Sequence, residues 1–299
     1  MKKLEKCLLC PVKCGANRHK TYGACKAGEN VKIARADLHE WEEPVLCQRA
    51  GSGAVFFSGC SLGCVFCQNG EISHGGFGAE VSVDRLAEIF LELEAKNACN
   101  INLVTGAQYA PHIVKAVASA RKNGLKLPIV YNSSGYENVE TLKLLEGTVD
   151  IYLPDFKYMD EELAVKYSKR RNYPSAAKAT LKEMFRQAGA PAFDSDGLMK
   201  KGMIVRHLVL PSMTEDSKNV IKYLYDTYKD DIYISIMSQY TPHGDLSAYP
   251  EIDRKLTEKE YDDVVSFAME IGVENGFLQE GEAADESFIP AFDLKGVLK

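Results

Sequence analysis

The chain has 299 residues, 45% of them hydrophobic and 26% charged, with a formal net charge of −6. Those figures are ordinary for a soluble globular protein, and the length allows a full core in one barrel or two domains. No stretch is apolar for long enough to span a membrane, and Met1-Lys2-Lys3-Leu4 runs into cysteines and charges where a signal segment needs an apolar run, so a cytoplasmic protein without membrane partners is expected.

Residues 1–35 hold seven Lys and two Arg against two Glu, a surplus that leaves −13 on the remainder. They also hold Cys7-x2-Cys10-x3-Cys14-x10-Cys25, with Pro11, Gly15 and Gly23 shaping the loops. Four thiolates can close a metal site completely, and zinc and a second iron–sulfur cluster suit the spacing equally. The basic residues would balance thiolate charge. Nucleic acid is the weaker reading of the basic arm, because residues 36–299 are too acidic to complete a groove. Residues 1–35 are therefore expected to form a cysteine-rich metal-binding extension. Nine cysteines in a reducing compartment argue for metal ligation before disulfides. Cys47 and Cys99, which stand singly, are expected to be buried small hydrophobes.

From residue 36 to 275, apolar runs of strand length alternate with amphipathic stretches, the pattern of βα units around a parallel sheet. Strands are expected near 54–58, 101–105, 128–132, 149–153, 203–209 and 232–237, which makes an α/β fold, a partial (β/α)6 barrel. Leu86, Ile89, Phe90 and Leu93 follow helical spacing, as do Val264, Phe267, Ala268 and Ile271 after a Thr257-x-x-Glu260 capping box. Further helices fit 110–123, 137–146, 159–170, 174–188 and 214–228. Residues 155–202 are too long for a plain crossover and are expected to hold two helices and a turn at Asp194-Ser195-Asp196-Gly197. The acidic segment 276–299 carries Phe277, Phe288, Ile289 and Phe292, so it is expected to pack back onto the barrel as a C-terminal tail.

The chemistry concentrates in Gly59-Cys60-Ser61-Leu62-Gly63-Cys64-Val65-Phe66-Cys67-Gln68-Asn69, which follows the apolar run Ala54-Val55-Phe56-Phe57-Ser58. Three cysteines spaced x3 and x2 can ligate three corners of a cubane cluster and leave one iron open to a substrate. A strand's C-terminal end is where barrel enzymes place their chemistry. Six scattered histidines show no ligand spacing. His207 is expected to face the helices, Tyr240 and His243 to lie either at the site's mouth or on a surface loop, and Lys169-Arg170-Arg171 to be a solvated helix end.

Cys60-x3-Cys64-x2-Cys67, with Phe66 before the third cysteine, resembles the signature of the radical S-adenosylmethionine (SAM) superfamily. From Gly53 to about Tyr240 the chain is similar to pyruvate formate-lyase activating enzyme-like proteins, in Ile101-Asn102-Leu103-Val104-Thr105, Asp150-Ile151-Tyr152-Leu153-Pro154-Asp155-Phe156-Lys157-Tyr158 and Val205-Arg206-His207-Leu208-Val209-Leu210-Pro211. The resemblance implies a [4Fe–4S] cluster on Cys60, Cys64 and Cys67. SAM would be chelated at the open iron and reductively cleaved to a 5′-deoxyadenosyl radical that abstracts hydrogen, and Phe66 would lie beside the adenine. It places Gln108, in Thr105-Gly106-Ala107-Gln108 where relatives carry Gly-Gly-Glu, near the methionine amine. Asn132 and Ser133 would reach the ribose or a bound cation, and Asp155 and Lys157 would contact SAM. Arg206, costly to bury without an anion, would hold the methionine carboxylate with Lys157 helping, or pair with Asp155 inside the barrel.

The implied partners are an electron donor such as flavodoxin or ferredoxin and a glycyl-radical enzyme whose glycine is the target. Modification of a peptide, RNA or small molecule stays open, and so does a non-catalytic scaffold whose two cysteine clusters hold zinc.

Overall fold

The apolar runs become strands and the amphipathic stretches become helices laid against one face of the sheet they build. The computed structural model describes residues 2–48, 50–279 and 290–299. Within them, in chain order, lie α1 (Lys2–Glu5), β1 (Val31–His39), β2 (Ser52–Phe57), α2 (Gly70–Ser73), β3 (Ala79–Val81), α3 (Val83–Ala95), β4 (Ile101–Val104), α4 (Ala110–Lys122), β5 (Ile129–Ser133) and α5 (Val139–Leu145). There follow β6 (Ile151–Pro154), α6 (Glu161–Ser168), α7 (Tyr173–Ala188), β7 (Ala192–Phe193), β8 (Met199–Leu208), α8 (Thr214–Tyr228), β9 (Tyr233–Met237), α9 (Glu258–Glu270) and β10 (Gly276–Leu278). Among the described residues no helix is long and apolar enough to cross a membrane.

The sheet runs β10-β9-β8-β6-β5-β4-β2-β1-β3, with β7 paired antiparallel to β8. The six expected strands lie side by side and parallel, so the partial barrel stands, and β10 adds a seventh parallel strand beyond β9. Reading from sequence missed β1, which pairs antiparallel with both β2 and β3. β1 begins at Val31, so the boundary drawn at residue 35 falls inside a strand of the main sheet.

Alternation along each strand divides the core. Ile129 and Tyr131 of β5, Tyr152 of β6 and Met203 and Val205 of β8 face the helices, whereas Val130, Ile151, Leu153 and Ile204 face inward. The inward group is covered by the segment between β1 and β2: Leu46 packs on it, Val45 O accepts from Met199 N at 2.8 Å, and Asn100 Nδ2 donates to Leu46 O at 3.0 Å. One expectation fails here. Cys47 and Cys99 are joined by a disulfide across Cα atoms 5.5 Å apart, because the folded-in segment meets the turn before β4.

The Thr257 capping box forms, and the Asp194 turn closes with Gly197 N donating to Asp194 O. Phe292 packs edge-on against Phe56, and Leu294 N and Lys295 O bond to β1. Phe277 stacks on Tyr233 from within β10, while Phe288 and Ile289 lie outside the described residues.

Candidate active site

The cysteine loop leaves β2 and is hung on the C-terminal end of α6. Gly63 N donates to Ser168 O and Val65 N to Tyr167 O, while Ser168 Oγ lies 2.9 Å from Cys64 Sγ. Arg170 Nε donates to Ser61 O at 2.9 Å, so Arg170 braces the loop and is not the solvated helix end expected of Lys169-Arg170-Arg171. Lys169 does end α6, in the left-handed conformation, and Arg171 pairs with Glu162 at the surface. At Gly59, φ is +89° and a Cβ would sit 2.4 Å from the Cys25 carbonyl oxygen, so the N-terminal segment and the loop touch where only glycine fits. Gly59→Ala is expected to cost about 2 kcal/mol or more in urea unfolding, from strain and displacement of the Cys25 loop.

The thiols of Cys60, Cys64 and Cys67 line a cavity of about 240 Å3 at the C-terminal ends of β4, β5, β6 and β8, together with Asn132, Asp155 and Arg206. Lys157, Ser133, Phe66 and Tyr240 also line it. Phe66 is buried with its ring edge-on to Tyr240, whose hydroxyl donates to Ile252 O, so the mouth expected at Tyr240 is a packed wall. His243 is not among the lining residues, and His207 is buried with Nδ1 on the Phe156 carbonyl, 2.7 Å away. A second cavity, of about 560 Å3, lies on the outer surface between α6 and α8. Asp216 there accepts from Met159 N and Asp160 N ahead of α6, a structural task remote from the thiols.

A chain of charges crosses the cavity. Asp155 Oδ2 accepts from Lys157 Nζ at 2.8 Å and Oδ1 from Arg206 Nε at 3.2 Å, and Arg206 Nη2 donates to Asn132 Oδ1 at 2.6 Å. Burial acts to raise the Asp155 pKa, yet Lys157 and Arg206 together outweigh it and hold the carboxyl below its usual range. Lys157 is likewise held charged by Asp155 against burial. Thus the ion pair foreseen as one of two roles for Arg206 is formed, within the cavity.

Two expected contacts are redirected. Gln108 is 4% exposed, and its Nε2 donates to the carbonyls of Ser58, Gly59 and Thr105. It fastens the root of the cysteine loop and does not line the cavity, because the turn after β4 folds its side chain back toward β2. Ser133 Oγ donates to buried Glu137 and accepts from Gly135 N, so the hydroxyl is spent on the turn. Burial, partly offset by the Ser133 bond, pushes Glu137 from the usual 4.5 up to about 7. The folded chain therefore binds this proton more tightly than the unfolded one. That contribution is complete below about pH 4.5 and is lost as pH rises through about 7. Glu137→Gln should remove the loss: between pH 5 and 8.5 the wild type should fall by about 2–3 kcal/mol more than the variant in urea unfolding.

Sequence reading missed Ser168 and Arg170, and also His39, Trp41 and Glu42, which line the cavity from the end of β1 and the following segment. Glu42 sat in an unpatterned acidic stretch, and only the covering of the barrel floor by residues 41–48 brings it to the site.

At the N-terminus, Cys7, Cys10 and Cys25 are buried and Cys14 is exposed. A Cβ on Gly23 would lie 3.4 Å from Cys25 Sγ and 3.7 Å from Cys14 Sγ, and burial pushes the Cys10 thiol up to about 11. Arg18, 2% exposed, donates to Gly28 O and Gln108 O and lies over the Tyr109 ring, with Nη2 left unpartnered. Among the described residues no three His, Cys, Asp or Glu side chains enclose a single ion as they stand. The fit of Cys60, Cys64 and Cys67 to a [4Fe–4S] cluster thus rests on three soft donors facing shared space.

A parallel half-barrel with a three-cysteine loop at its C-terminal edge defines a class of cofactor-using enzymes. A family model described as the radical SAM superfamily matches residues 54–236, and the chain belongs to that superfamily, whose enzymes use a [4Fe–4S] cluster and SAM. It is 30% identical over 272 residues to an uncharacterized protein of Methanocaldococcus jannaschii, covering 88% of this chain and 74% of that one. A crystal structure of Streptococcus suis SuiB bound to S-adenosylmethionine is similar with a TM-score of 0.50 at 10% identity, over 75% of this chain and 49% of that one. SuiB bound to its precursor peptide SuiA gives 0.49 at 10% identity, over 75% and 47%. The chain spans about half the length of these solved structures, and the likeness shows the fold alone.

Proposed function

We propose that the chain reductively cleaves SAM on a [4Fe–4S] cluster held by Cys60, Cys64 and Cys67 and abstracts hydrogen from a substrate, as a pyruvate formate-lyase activating enzyme-like protein acting on a glycine of a glycyl-radical enzyme. The observation that carries this reading is that three thiols share one cavity with the Asp155, Lys157 and Arg206 chain. When bound, the cluster supplies the electron that splits the S–C5′ bond and so gives the 5′-deoxyadenosyl radical.

The chain's own residues supply the setting. Burial raises the pKa of the free Cys60 and Cys64 thiols, so ligation must release their protons, and Ser168 Oγ is placed to hydrogen-bond the Cys64 sulfur. Lys157 and Arg206 offer cations to a carboxylate of SAM, and Phe66 on Tyr240 offers an aromatic wall to its adenine while keeping water out. A flavodoxin or ferredoxin would deliver the electron. Residues 1–35 are read as an extension whose four cysteines hold zinc or a second cluster. Burial holds the Cys25 thiol above its usual range, and the buried, Nη2-unpartnered guanidinium of Arg18 works against that rise, which supports a negatively charged site there once the thiols are ligated.

Anaerobically reconstituted protein reduced with dithionite should show a cubane paramagnetic signal that changes when SAM is added, and should convert SAM to 5′-deoxyadenosine. Zinc at Cys60, Cys64 and Cys67 without a reducible cluster would overturn the reading in favour of a scaffold.

A further inference from the structure

A carboxyl group faces the cavity from the segment that covers the barrel floor. The Glu42 side chain is 6% exposed; its Oε1 accepts from Asn102 Nδ2 at 2.7 Å, while Oε2 lies 4.0 Å from Arg206 Nη1, beyond hydrogen-bond reach. Arg206 spends its hydrogen bonds on Asp155 and Asn132 and acts on Glu42 only through space. Glu43 follows in sequence and also acts on Glu42 as a like charge. Burial first, then Glu43, push Glu42 up to about 8, against the smaller opposing pull of Arg206. His39, the other titratable group on this wall, has its pKa lowered by burial and by Arg206 and Arg35, so it brings no compensating cation. The cavity wall therefore carries an acid whose Oε2 lies outside hydrogen-bond reach of its nearest cation.

The acid is also held in place. Leu46 is packed into the inward core, Val45 O takes Met199 N, and Cys47 is bonded to Cys99, so the segment is tied down just beyond Glu42.

We propose that Glu42 is a specificity-determining residue for the substrate, pairing with an aliphatic ammonium or guanidinium group carried by a lysine or arginine side chain of a peptide or by a free small amine. This deepens the reading above and rests on it: the reacting carbon would lie within reach of a basic side chain.

Calorimetric titration of the reconstituted full chain with SAM present tests it, using acetyl-Gly-Lys-Gly-amide, acetyl-Gly-Arg-Gly-amide, the uncharged acetyl-Gly-norleucine-Gly-amide, and agmatine as the free amine. A charged probe should bind at least about tenfold more tightly than the norleucine peptide. Preference for peptides or for agmatine assigns the source of the cation. Glu42→Gln, which keeps an oxygen for Asn102, should abolish the charge preference, and Glu42→Asp, which keeps the charge if the Gln variant folds poorly, should retain part of it. Equal binding of lysine and norleucine peptides by the wild type, or an undiminished preference in Glu42→Gln, overturns the proposal. So does a loss of SAM affinity in Glu42→Gln, which would assign Glu42 to the ammonium of SAM itself. A wild type that builds no cluster fails the general reading instead, and the paramagnetic signal of the same sample tells the two failures apart.

Discussion

Cys64→Ala should abolish formation of 5′-deoxyadenosine, a fall of at least about a thousandfold, and should reduce the iron bound at this site. Cys64 is the middle donor of three, in a loop fixed by Gly63 N and Val65 N on the end of α6. The neighbouring backbone is thus held by bonds that do not involve the thiol, and loss of the sulfur leaves two donors where a cubane needs three. The partner lost is Ser168 Oγ, which also meets Tyr158 OH at 3.1 Å and so keeps a bond in the variant. Thermal unfolding of the metal-free variant should therefore stay close to that of the metal-free wild type while activity disappears. Retained turnover would mean that the thiol serves packing alone.

The parallel core was legible because most of its strands carry a short apolar run buried on both faces, such as Ile151-Tyr152-Leu153. β1 was not, since Val31–His39 alternates charged and apolar residues within a segment whose cysteines suggested a separate knot. That Cys60, Cys64 and Cys67 share one loop could be read from spacing, and the cavity they line could be expected at a strand's C-terminal end. Asp155, Lys157 and Arg206 could be placed at strand ends, but that Asp155 bridges both cations needs the pairing of β6 with β8. Glu42 and the Cys47–Cys99 bond were beyond reach, because both depend on a long segment turning into the barrel. Gln108 and Ser133 show the opposite error: the residue types suited a ligand, and the backbone around them took the hydrogen bonds first.

Arg206→Met should cost about 3–5 kcal/mol of stability, because removing one partner leaves the others buried without it. Asp155 would keep Lys157 alone, Asn132 Oδ1 would lose its donor, and Glu42 would lose its nearest cation. Asp155→Asn should be costly for the converse reason, since both Lys157 and Arg206 lean on that carboxylate. The double variant should cost less than the two single costs added, by about 1 kcal/mol or more in urea unfolding, because each single change already forfeits the shared bond. If Arg206 also holds the carboxylate of SAM, as proposed, SAM affinity in Arg206→Met should fall at least about tenfold, whereas Arg206→Lys should recover some of it as a point charge without the second nitrogen. Full destabilisation with unchanged SAM affinity would confine Arg206 to bridging β6 and β8. The carboxylate of SAM would then have to be met by Lys157, whose Nζ is shared with Asp155 from the same strand end.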